Sequence, residues 1–160
     1  MSILNIKLFK ILVSHLTHNS IYVIIKTNKV YFWRIIISMY NIEFYENANG
    51  ESDLWNFIES LRLKAAKNKD FRIQYKQIIL YIELLQQNGT RLPDNITKHI
   101  DEDIWELRPG NNRVFYFYKK ENTFILLHHF KKKSQKTPKR EIERAKSERN
   151  DYLSRKEHNQ

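Results

Sequence analysis

The sequence contains no cysteine, and its 160 residues include only three glycines and three prolines. The absence of cysteine excludes disulfides and thiolate metal sites, and it fits a reducing cytoplasm, which is where we expect the chain to act. Because glycine and proline are scarce, each of them marks a boundary between elements. The hydrophobic fraction of 41% indicates a globular chain that is long enough for one domain with a core.

Acidic residues are missing from the first forty positions, which carry five cations and many Ile and aromatic residues. Lys26, Lys29 and Arg34 interrupt the apolar stretch of this region, and each central charge costs about 2.5–3.5 kcal/mol on membrane insertion. We therefore expect no membrane span and no membrane partner. A small-residue cleavage motif is also missing, which argues against a secretory signal.

The chain therefore divides into two parts of different composition. We predict that residues 1–40 are an extension outside the core, upstream of a true start at Met39. Residues 41–160 are predicted to form the functional domain. The alternative is that the extension adds a strand or a helix to the fold of that domain.

Positive charge is concentrated in one block of the sequence. Between Arg108 and Arg140 there are ten Lys or Arg residues and one acid, Glu121, in a chain whose net charge is +10. Such a density of like charges is self-repelling and is seldom kept for folding alone. The block therefore indicates a polyanionic partner, with nucleic acid as the main candidate.

A helical pair is predicted after the first strand of the domain. Residues 41–45 form a short strand, and Ser52 and Asp53 cap the helix that follows it. Asp70 is expected to cap a second helix, which ends at the left-handed stop signal of Asn88 and Gly89. Because the linker between the helices is short, they should pack as an antiparallel hairpin.

The second half of the domain follows a period of two. After a loop at residues 90–100, three hairpin-linked strands are predicted at 104–107, 113–118 and 123–130. A charged helix then begins with Thr137 as N-cap and Pro138 in the first turn, and its apolar stripe is thin. We expect this helix to lie across the sheet edge or to await a partner. The predicted fold class is α+β, with a small antiparallel sheet covered on one face by a two-helix hairpin and followed by a charged C-terminal helix.

Several separated motifs agree in order and spacing with those of a known family. They are Trp-Glu-Leu-Arg at 105–108, Arg113 before a Val-Phe-Tyr-Phe strand, Leu-His-His-Phe-Lys-Lys-Lys at 127–133, Gln-Lys-Thr-Pro at 135–138 and Glu-Ile at 141–142. With these motifs the chain resembles the RelE/HigB superfamily of toxins, and more narrowly the phage-derived HigB-type toxins. The resemblance covers residues 41–153 and leaves the extension unmatched.

The resemblance implies an activity and a set of partners. Toxins of this kind are endonucleases that cleave messenger RNA, most often on the ribosome, and thereby inhibit translation and growth. A HigA-like helix-turn-helix antitoxin keeps them silent, and operator DNA is contacted only through the antitoxin complex. Neither a cofactor nor a metal ion is implied.

RNA cleavage without a metal requires a base for the 2'-hydroxyl, cations for the transition state and an acid for the leaving oxygen. Arg113 is the main catalytic candidate, as a clamp on the scissile phosphate, because the family's strand-opening arginine aligns with it. The alternative is a turn-adjacent arginine that pairs with Glu106. Glu106 itself is either the general base or the ionic partner that holds Arg113. RelE toxins carry lysines on the strand that corresponds to residues 104–107. In this sequence Ile104 and Glu106 occupy those positions.

Strand parity indicates which way these side chains point. Glu106 and Arg108 share one side of their strand, while Trp105 and Leu107 share the other. Because Trp105 and Leu107 suit the core beneath the helices, we expect Glu106 and Arg108 on an open surface.

The adjacent histidines are further candidates. His128 matches the family's Leu-Leu-His position and is a candidate for proton transfer, and the alternative is a satisfied, half-buried histidine. His129 lies on the opposite side of the strand and is a candidate RNA contact. Metal binding by the pair is not expected, because neighbouring side chains on a strand diverge.

The remaining candidates are RNA contacts near the end of the third hairpin strand. Lys132 and Lys133 are candidates for the scissile phosphate. The expected groove contacts are Arg108, Lys131 and Lys136, with Tyr118 as a platform for base stacking. The alternatives are a solvated charge run for the lysines and a core position for the tyrosine.

Two other functions remain open. One is a ParE-like toxin that poisons DNA gyrase without cleaving a bond, and the other is a non-catalytic RNA-binding module. The combination of Arg113, His128 and the lysine block favours the nuclease.

Overall fold

The computed structural model describes residues 23–26, 29–32, 40–133 and 136–157. The chain divides into two units, residues 1–37 and 38–160. In the first unit, strands β1 (Val23–Lys26) and β2 (Lys29–Phe32) form an antiparallel two-stranded sheet. The predicted start at Met39 lies outside the described residues, and the assignment of residues 1–40 as an extension stays a prediction.

The second unit contains a sheet and helices in mixed order. Its elements are β3 (Asn41–Phe44), α1 (Asp53–Ala65), α2 (Lys69–Asn88), β4 (Thr97–Asp101), β5 (Ile104–Leu107), β6 (Asn112–Lys119), β7 (Thr123–Lys131) and α3 (Lys139–Glu157). No helix in the described part of the chain is both long and apolar enough to cross a membrane.

The five strands of this unit form one sheet in the order β3-β7-β6-β5-β4. β4 to β7 are joined by antiparallel pairing, whereas β3 runs parallel to β7. The predicted α+β class with a helical hairpin and a C-terminal helix is confirmed, but the sheet is mixed. The loop predicted at residues 90–100 was wrong because β4 is an edge strand with exposed Lys98 and His99, so its sequence lacks clear alternation.

The helical hairpin is closed by local capping. Ser52 accepts a hydrogen bond from the backbone of Trp55, as its position predicted. The α2 cap is Asn68 and not the predicted Asp70, because the Asn68 side chain accepts from the amides of residues 70 and 71. Gly89 ends α2 with a φ of +62°, and a Cβ there would meet the Tyr40 ring at 2.8 Å. Any other residue there would be strained in its backbone and would have to displace the Tyr40 ring.

One core lies between the helical hairpin and the sheet. Fully burying a large apolar side chain contributes about 1.5–3 kcal/mol, so this layer supplies much of the stability. Its buried residues are Ile42, Leu54, Ile58, Leu61, Ile78, Leu85, Leu107, Val114, Tyr116, Phe124 and Leu126.

A second core fills the opposite face of the sheet, under α3. Its buried residues are Ile104, Phe115, Phe117, Ile125, Leu127, Ala145 and Tyr152. The expectation that α3 lies across an edge or awaits a partner was wrong. The small apolar stripe is sufficient to hold α3 against the sheet because polar side chains add contacts. Tyr152 of α3 bonds to Glu43 of β3, and Asp151 of α3 bonds to Tyr45.

The start of α3 also differs from the prediction. The carbonyl of Pro138 accepts hydrogen bonds from the amides of Glu141 and Ile142, at 3.0 and 3.4 Å. Thr137 does not cap the helix, since its hydroxyl donates to the side chain of Glu106 instead. The entry into α3 is thereby fixed to strand β5.

Candidate active site

Glu106 is the centre of a cluster of charged groups. Its Oε1 accepts a hydrogen bond from Arg108 Nε at 3.1 Å and lies 3.2 Å from Arg113 Nε, while its Oε2 accepts from the Thr137 hydroxyl at 3.0 Å. The side chain is 0% exposed. As predicted, Glu106 faces away from the helical hairpin, but the open surface expected there was wrong, because the start of α3 covers it.

Arg113 is held rigidly at the start of β6. Its Nη1 donates to the carbonyls of Gly110 and Asn112, at 2.8 and 2.7 Å. Burial lowers the pKa of Arg113, and Glu106 opposes that shift. Since the ordinary arginine pKa lies far above neutrality, the group stays cationic at neutral pH. The ion pair with Glu106, which was one alternative for Arg113, is present.

Arg108 is the second cation of the cluster and is less buried than Arg113. Its Nη1 donates to the Asp94 carbonyl at 2.7 Å, and about a quarter of the side chain, 24%, is exposed. Arg108 therefore connects the buried carboxylate to the protein surface.

The cations at the end of β7, Lys131, Lys132 and Lys133, are called the lysine corner below. Lys131 pairs with Asn112 in the sheet, and the backbone amide of Lys132 donates to the Asn111 carbonyl at 2.9 Å. The lysine corner therefore lies at the end of the sheet where Arg113 begins β6. Lys131 and Lys133 are exposed, as is Lys136 on the way into α3.

A β-bulge in β7 turns His128 towards α3. Val114 pairs with His129 while Tyr116 pairs with Leu126, so β7 has one residue more than β6 in this interval. Leu127 and His128 consequently both face the α3 side, whereas strict alternation would have separated them. Arg113 pairs with Phe130, so His128 is its diagonal neighbour on the same face, with about 7–8 Å between the Cα atoms.

His128 is enclosed by two carboxylates of α3. Its Nδ1 is 2.7 Å from Glu148 Oε2, and its Nε2 is 3.4 Å from Glu141 Oε2. The latter contact does not form a hydrogen bond, and Nε2 has no hydrogen-bond partner among the described residues. The residue is 1% exposed.

A small cavity of about 110 Å³ lies beside His128. Arg144 spans it, donating to Glu148 and pairing with Asp53 of α1. The cavity is lined by Tyr45, Asn47, Glu51, Asp53, Leu127, His128, Arg144 and Glu148.

His129 is on the opposite side of the sheet, as predicted. Its ring stacks on Phe57 of α1 with the centroids 3.5 Å apart. Burial lowers its pKa to about 4, and the proximity of His128 adds to the shift. His129 is therefore neutral at physiological pH and is separated from Arg113 by the sheet.

Tyr118 is also remote from Arg113. It lies five residues further along β6, which is about 17 Å at 3.3–3.4 Å per residue. Its ring packs against Phe124 and Tyr40, and 45% of the residue is exposed. The structure thus brings Arg108, Arg113, Glu106, His128 and the lysine corner to one region but does not bring Tyr118 or His129 there.

Three contributors to the site were missed by sequence reasoning. Thr137 fixes Glu106, while Glu141 and Glu148 enclose His128. The Arg144–Glu148 spacing of four residues is a visible helical pair. No signal in the sequence indicated that α3 would cover this face. No group of three or more potential metal ligands occurs within the described ranges.

Residues 63–150, which include every candidate site residue, match the family described as phage derived protein Gp49-like. No curated protein is a match for the sequence. Among solved structures, an archaeal RelE-RelB complex from Pyrococcus horikoshii OT3 shares 14% identity with a TM-score of 0.44, over 61% of this chain and 99% of that one.

Proposed function

The chain belongs to the Gp49-like family of phage-derived proteins, which are RelE/HigB-type toxins, and on this premise we propose that it is an endoribonuclease that cleaves messenger RNA. The family match confirms the resemblance found in the sequence, and the chain is a toxin of a toxin-antitoxin system. The observation that carries the nuclease proposal is the cluster of Arg113, Arg108 and Glu106 beside the lysine corner.

The proposed reaction is a transesterification within the bound RNA. The 2'-oxygen forms a bond to phosphorus while the bond from phosphorus to the 5'-oxygen breaks. One proton leaves the 2'-hydroxyl, and one is delivered to the departing 5'-oxygen. Because negative charge builds up on the phosphoryl oxygens, fixed cations at the scissile phosphate accelerate the reaction.

Arg113 is the proposed phosphate clamp, and Arg108 assists it. A guanidinium group binds two phosphate oxygens at once, and two backbone carbonyls already fix the orientation of Arg113. Lys132 and Lys133 supply further positive charge from the lysine corner. Contacts of Lys131 and Lys136 with other phosphates make binding dependent on salt.

Glu106 is proposed to position the two arginines, and not to act as the base. Both of its oxygens are engaged and its side chain is completely buried. His128 is the better candidate for proton transfer, because Glu148 orients its ring through Nδ1 and Nε2 is left without a hydrogen bond. For His128 to reach RNA, Glu141 and the start of α3 must move aside.

The partners are proposed from family membership. An antitoxin holds the toxin silent, and we propose a HigA-like helix-turn-helix protein that also supplies the contact with operator DNA. The RNA is messenger RNA on the ribosome, in the cytoplasm. Inhibition of translation and growth arrest follow from its cleavage.

A protein that binds its target without cleaving it is the second candidate. The observation that favours it is the burial of both proton-transfer candidates, Glu106 and His128, under α3. A ParE-like attack on DNA gyrase and a non-catalytic RNA-binding role both belong to this class.

The variant Arg113→Ala distinguishes the candidates. The chain is expressed from an inducible promoter, growth is followed, and new 5' ends are mapped in cellular RNA. We expect growth arrest with new RNA ends, both lost in Arg113→Ala, because the variant lacks the clamp on the scissile phosphate. Loss of one such electrostatic group costs about a hundredfold to a thousandfold in rate.

Arg91→Ala is the matched control, since Arg91 is exposed and lies in the loop after α2. It should arrest growth like the wild type. Growth arrest by the wild type without new RNA ends would contradict the nuclease and support the gyrase target. No arrest and no RNA ends would support the binding module.

A further inference from the structure

The helical hairpin carries exposed apolar side chains on its outside. Four large hydrophobic side chains are exposed among the described residues, and three of them belong to α1 or α2. The exposed fraction is 67% for Leu63, 44% for Ile73 and 50% for Leu80. Apolar residues exposed singly are common, but a group of them on one face indicates a binding surface.

Two of these residues belong to a single stripe of α2. The stripe consists of Lys69, Ile73, Lys76 and Leu80, and all four are exposed. Their spacings of four, three and four residues keep them within about 60° around the helix axis. Ile78, which is fully buried, lies on the opposite side of the helix. The stripe therefore points away from the core.

Leu63 lies on the outside of α1, opposite the buried Leu54. The end of α1 is packed beside the first turns of α2, where Arg72 Nη1 donates to the Ala65 carbonyl at 3.1 Å. Since both helices bury their inner sides against the same face of the sheet, their outer sides form one surface. This surface, called the outer face below, consists of Leu63, Lys69, Ile73, Lys76 and Leu80.

The two lysines of the outer face carry positive charge that no acid of the described residues neutralises. Arg62, on the same hairpin, instead pairs with Glu59 at 2.9 Å. The outer face thus alternates unpaired cations with apolar side chains along one helix. A partner that complements it must offer both negative charge and apolar surface.

An acidic amphipathic helix meets both requirements better than the other possible occupants. RNA would satisfy the lysines, but its bases stack on aromatic side chains and not on the aliphatic side chains present here. A second copy of this chain would bring like charges together, since each copy has a net charge of +10.

We propose that the outer face binds an acidic amphipathic helix of a partner protein. Apolar side chains of the partner would cover Leu63, Ile73 and Leu80. Two acids of the partner, one heptad apart, would pair with Lys69 and Lys76, whose separation along α2 is about 10 Å. Anchors repeated at this spacing are the usual way in which one helix recognises another.

The outer face is separate from the candidate active site. Arg113 and His128 lie on the side of the sheet that α3 covers, whereas the helical hairpin covers the other side. A helix bound to the outer face would leave the active site uncovered. The inference therefore goes beyond the nuclease function proposed above and does not depend on it.

The test is the binding of a synthetic acidic helix to the full chain, followed by fluorescence anisotropy. The probe is a labelled peptide of three heptads with Leu at positions a and d and Glu at positions e and g. We expect Ile73→Gln/Leu80→Gln to weaken binding about tenfold, because about half of each apolar side chain is available for burial by the peptide. Lys69→Ala/Lys76→Ala should weaken it about fivefold at low salt and less at high salt.

The matched control is Lys98→Ala/Lys120→Ala, which removes the same charge from exposed positions on β4 and in the turn after β6. It should bind the peptide like the wild type. A peptide with Lys in place of Glu keeps the apolar positions and should bind at least tenfold more weakly than the acidic one. Thermal melting of each variant should stay close to that of the wild type, because the substituted side chains are exposed.

Three results with the peptide would overturn the proposal. They are a wild type that does not bind the peptide, wild-type affinity in Ile73→Gln/Leu80→Gln, and equal losses in the two lysine variants, which would show an effect of net charge alone.

Two further measurements identify a different occupant. Binding of a single-stranded 2'-O-methyl RNA that is lost in Lys69→Ala/Lys76→Ala, with peptide binding unchanged, would assign the outer face to RNA. A wild-type dimer in sedimentation that becomes a monomer in Ile73→Gln/Leu80→Gln would assign it to a second copy. Either result would overturn the proposal.

Cleavage of unmodified RNA is measured separately on the same proteins. All three double variants should cleave like the wild type, because none of their substitutions lies in the candidate active site. A wild type that binds the peptide as expected but cuts no RNA would overturn the nuclease proposal and leave the docking surface standing.

Discussion

At Glu106 a single buried carboxylate holds two guanidinium groups and a hydroxyl. The carboxylate contacts Arg108 and Arg113 from β5 and β6, and Thr137 from the entry to α3. A buried charge with these partners stabilises the fold only while the set is complete, because removing one partner leaves the others desolvated. The residue therefore links the geometry of the candidate site to the stability of the domain.

Glu106→Gln is expected to lower the free energy of unfolding by about 3 kcal/mol, since an amide nitrogen cannot accept from the donors around it. RNA cleavage should fall through kcat, as Arg113 loses its orientation, while the shape of the pH-rate profile is kept. The measurements are denaturant unfolding and cleavage rates over a pH series. Glu83→Gln, on the exposed side of α2, should change neither. Loss of one limb of the profile in Glu106→Gln would instead identify Glu106 as the general base.

His129 gives the domain a defined dependence on pH. Its pKa is lowered to about 4 in the folded state, against about 6.5 when unfolded. Between these two pKa values His129 is protonated in the unfolded chain but not in the folded chain. The free energy of unfolding therefore falls as the pH drops from 6.5 towards 4. His129→Phe keeps the stack on Phe57 but has no titrating ring. On acidification its free energy of unfolding should therefore fall by about 2–3 kcal/mol less than that of the wild type, a figure that allows for the partial exposure of His129.

Unfolding of His129→Phe and the wild type at pH 4.5 and 7 measures this difference. His99→Phe removes an exposed histidine from β4 and should leave the wild-type slope intact. If both variants behave alike, the buried imidazole of His129 is not the source of the pH dependence.

At the scale of elements, α3 is the one that sequence patterns described least well. Its apolar stripe is thin, and nothing in its own sequence shows that Glu43, Asp103 and Tyr45 would provide polar partners from distant parts of the chain. β5, by contrast, was predicted with its bounds, because its alternation is strict and a turn follows it. Local pattern thus predicted local structure, while docking depended on contacts between residues 46, 106 and 109 positions apart.

Tyr152→Phe tests how firmly α3 is docked. The Tyr152 hydroxyl donates to Glu43 Oε2 at 2.6 Å, and a hydrogen bond to a charged group contributes about 1.5–3 kcal/mol. Thermal or denaturant unfolding should show a loss of that size. Tyr118→Phe is the control, because its hydroxyl bonds to Asn122 at an exposed position, and its loss should be about 0.5 kcal/mol or less. Equal stability of both variants would mean that the bond between Tyr152 and Glu43 does not contribute to holding α3.

For the whole molecule, the sequence predicted which residues meet but not how deeply they are buried. Because a short turn joins β6 and β7, the two strands form a hairpin. The positions of Arg113 and the lysine corner in the sequence therefore predicted that they lie close together. The bulge that turns His128 towards α3 has no such signal, because Leu127 and His128 look like an ordinary alternating pair.

The parallel pairing of β3 with β7 has a consequence for the order of synthesis. β3 is the first strand of the second unit to leave the translating ribosome, and its neighbour in the sheet is the last strand made. A nascent chain therefore carries β3 with an unsatisfied edge until residues 123–131 have emerged, and the face that α3 covers stays bare for longer. A polypeptide released before residue 123 would lack β7, the strand that pairs with both β3 and β6, and the five-stranded sheet could not form.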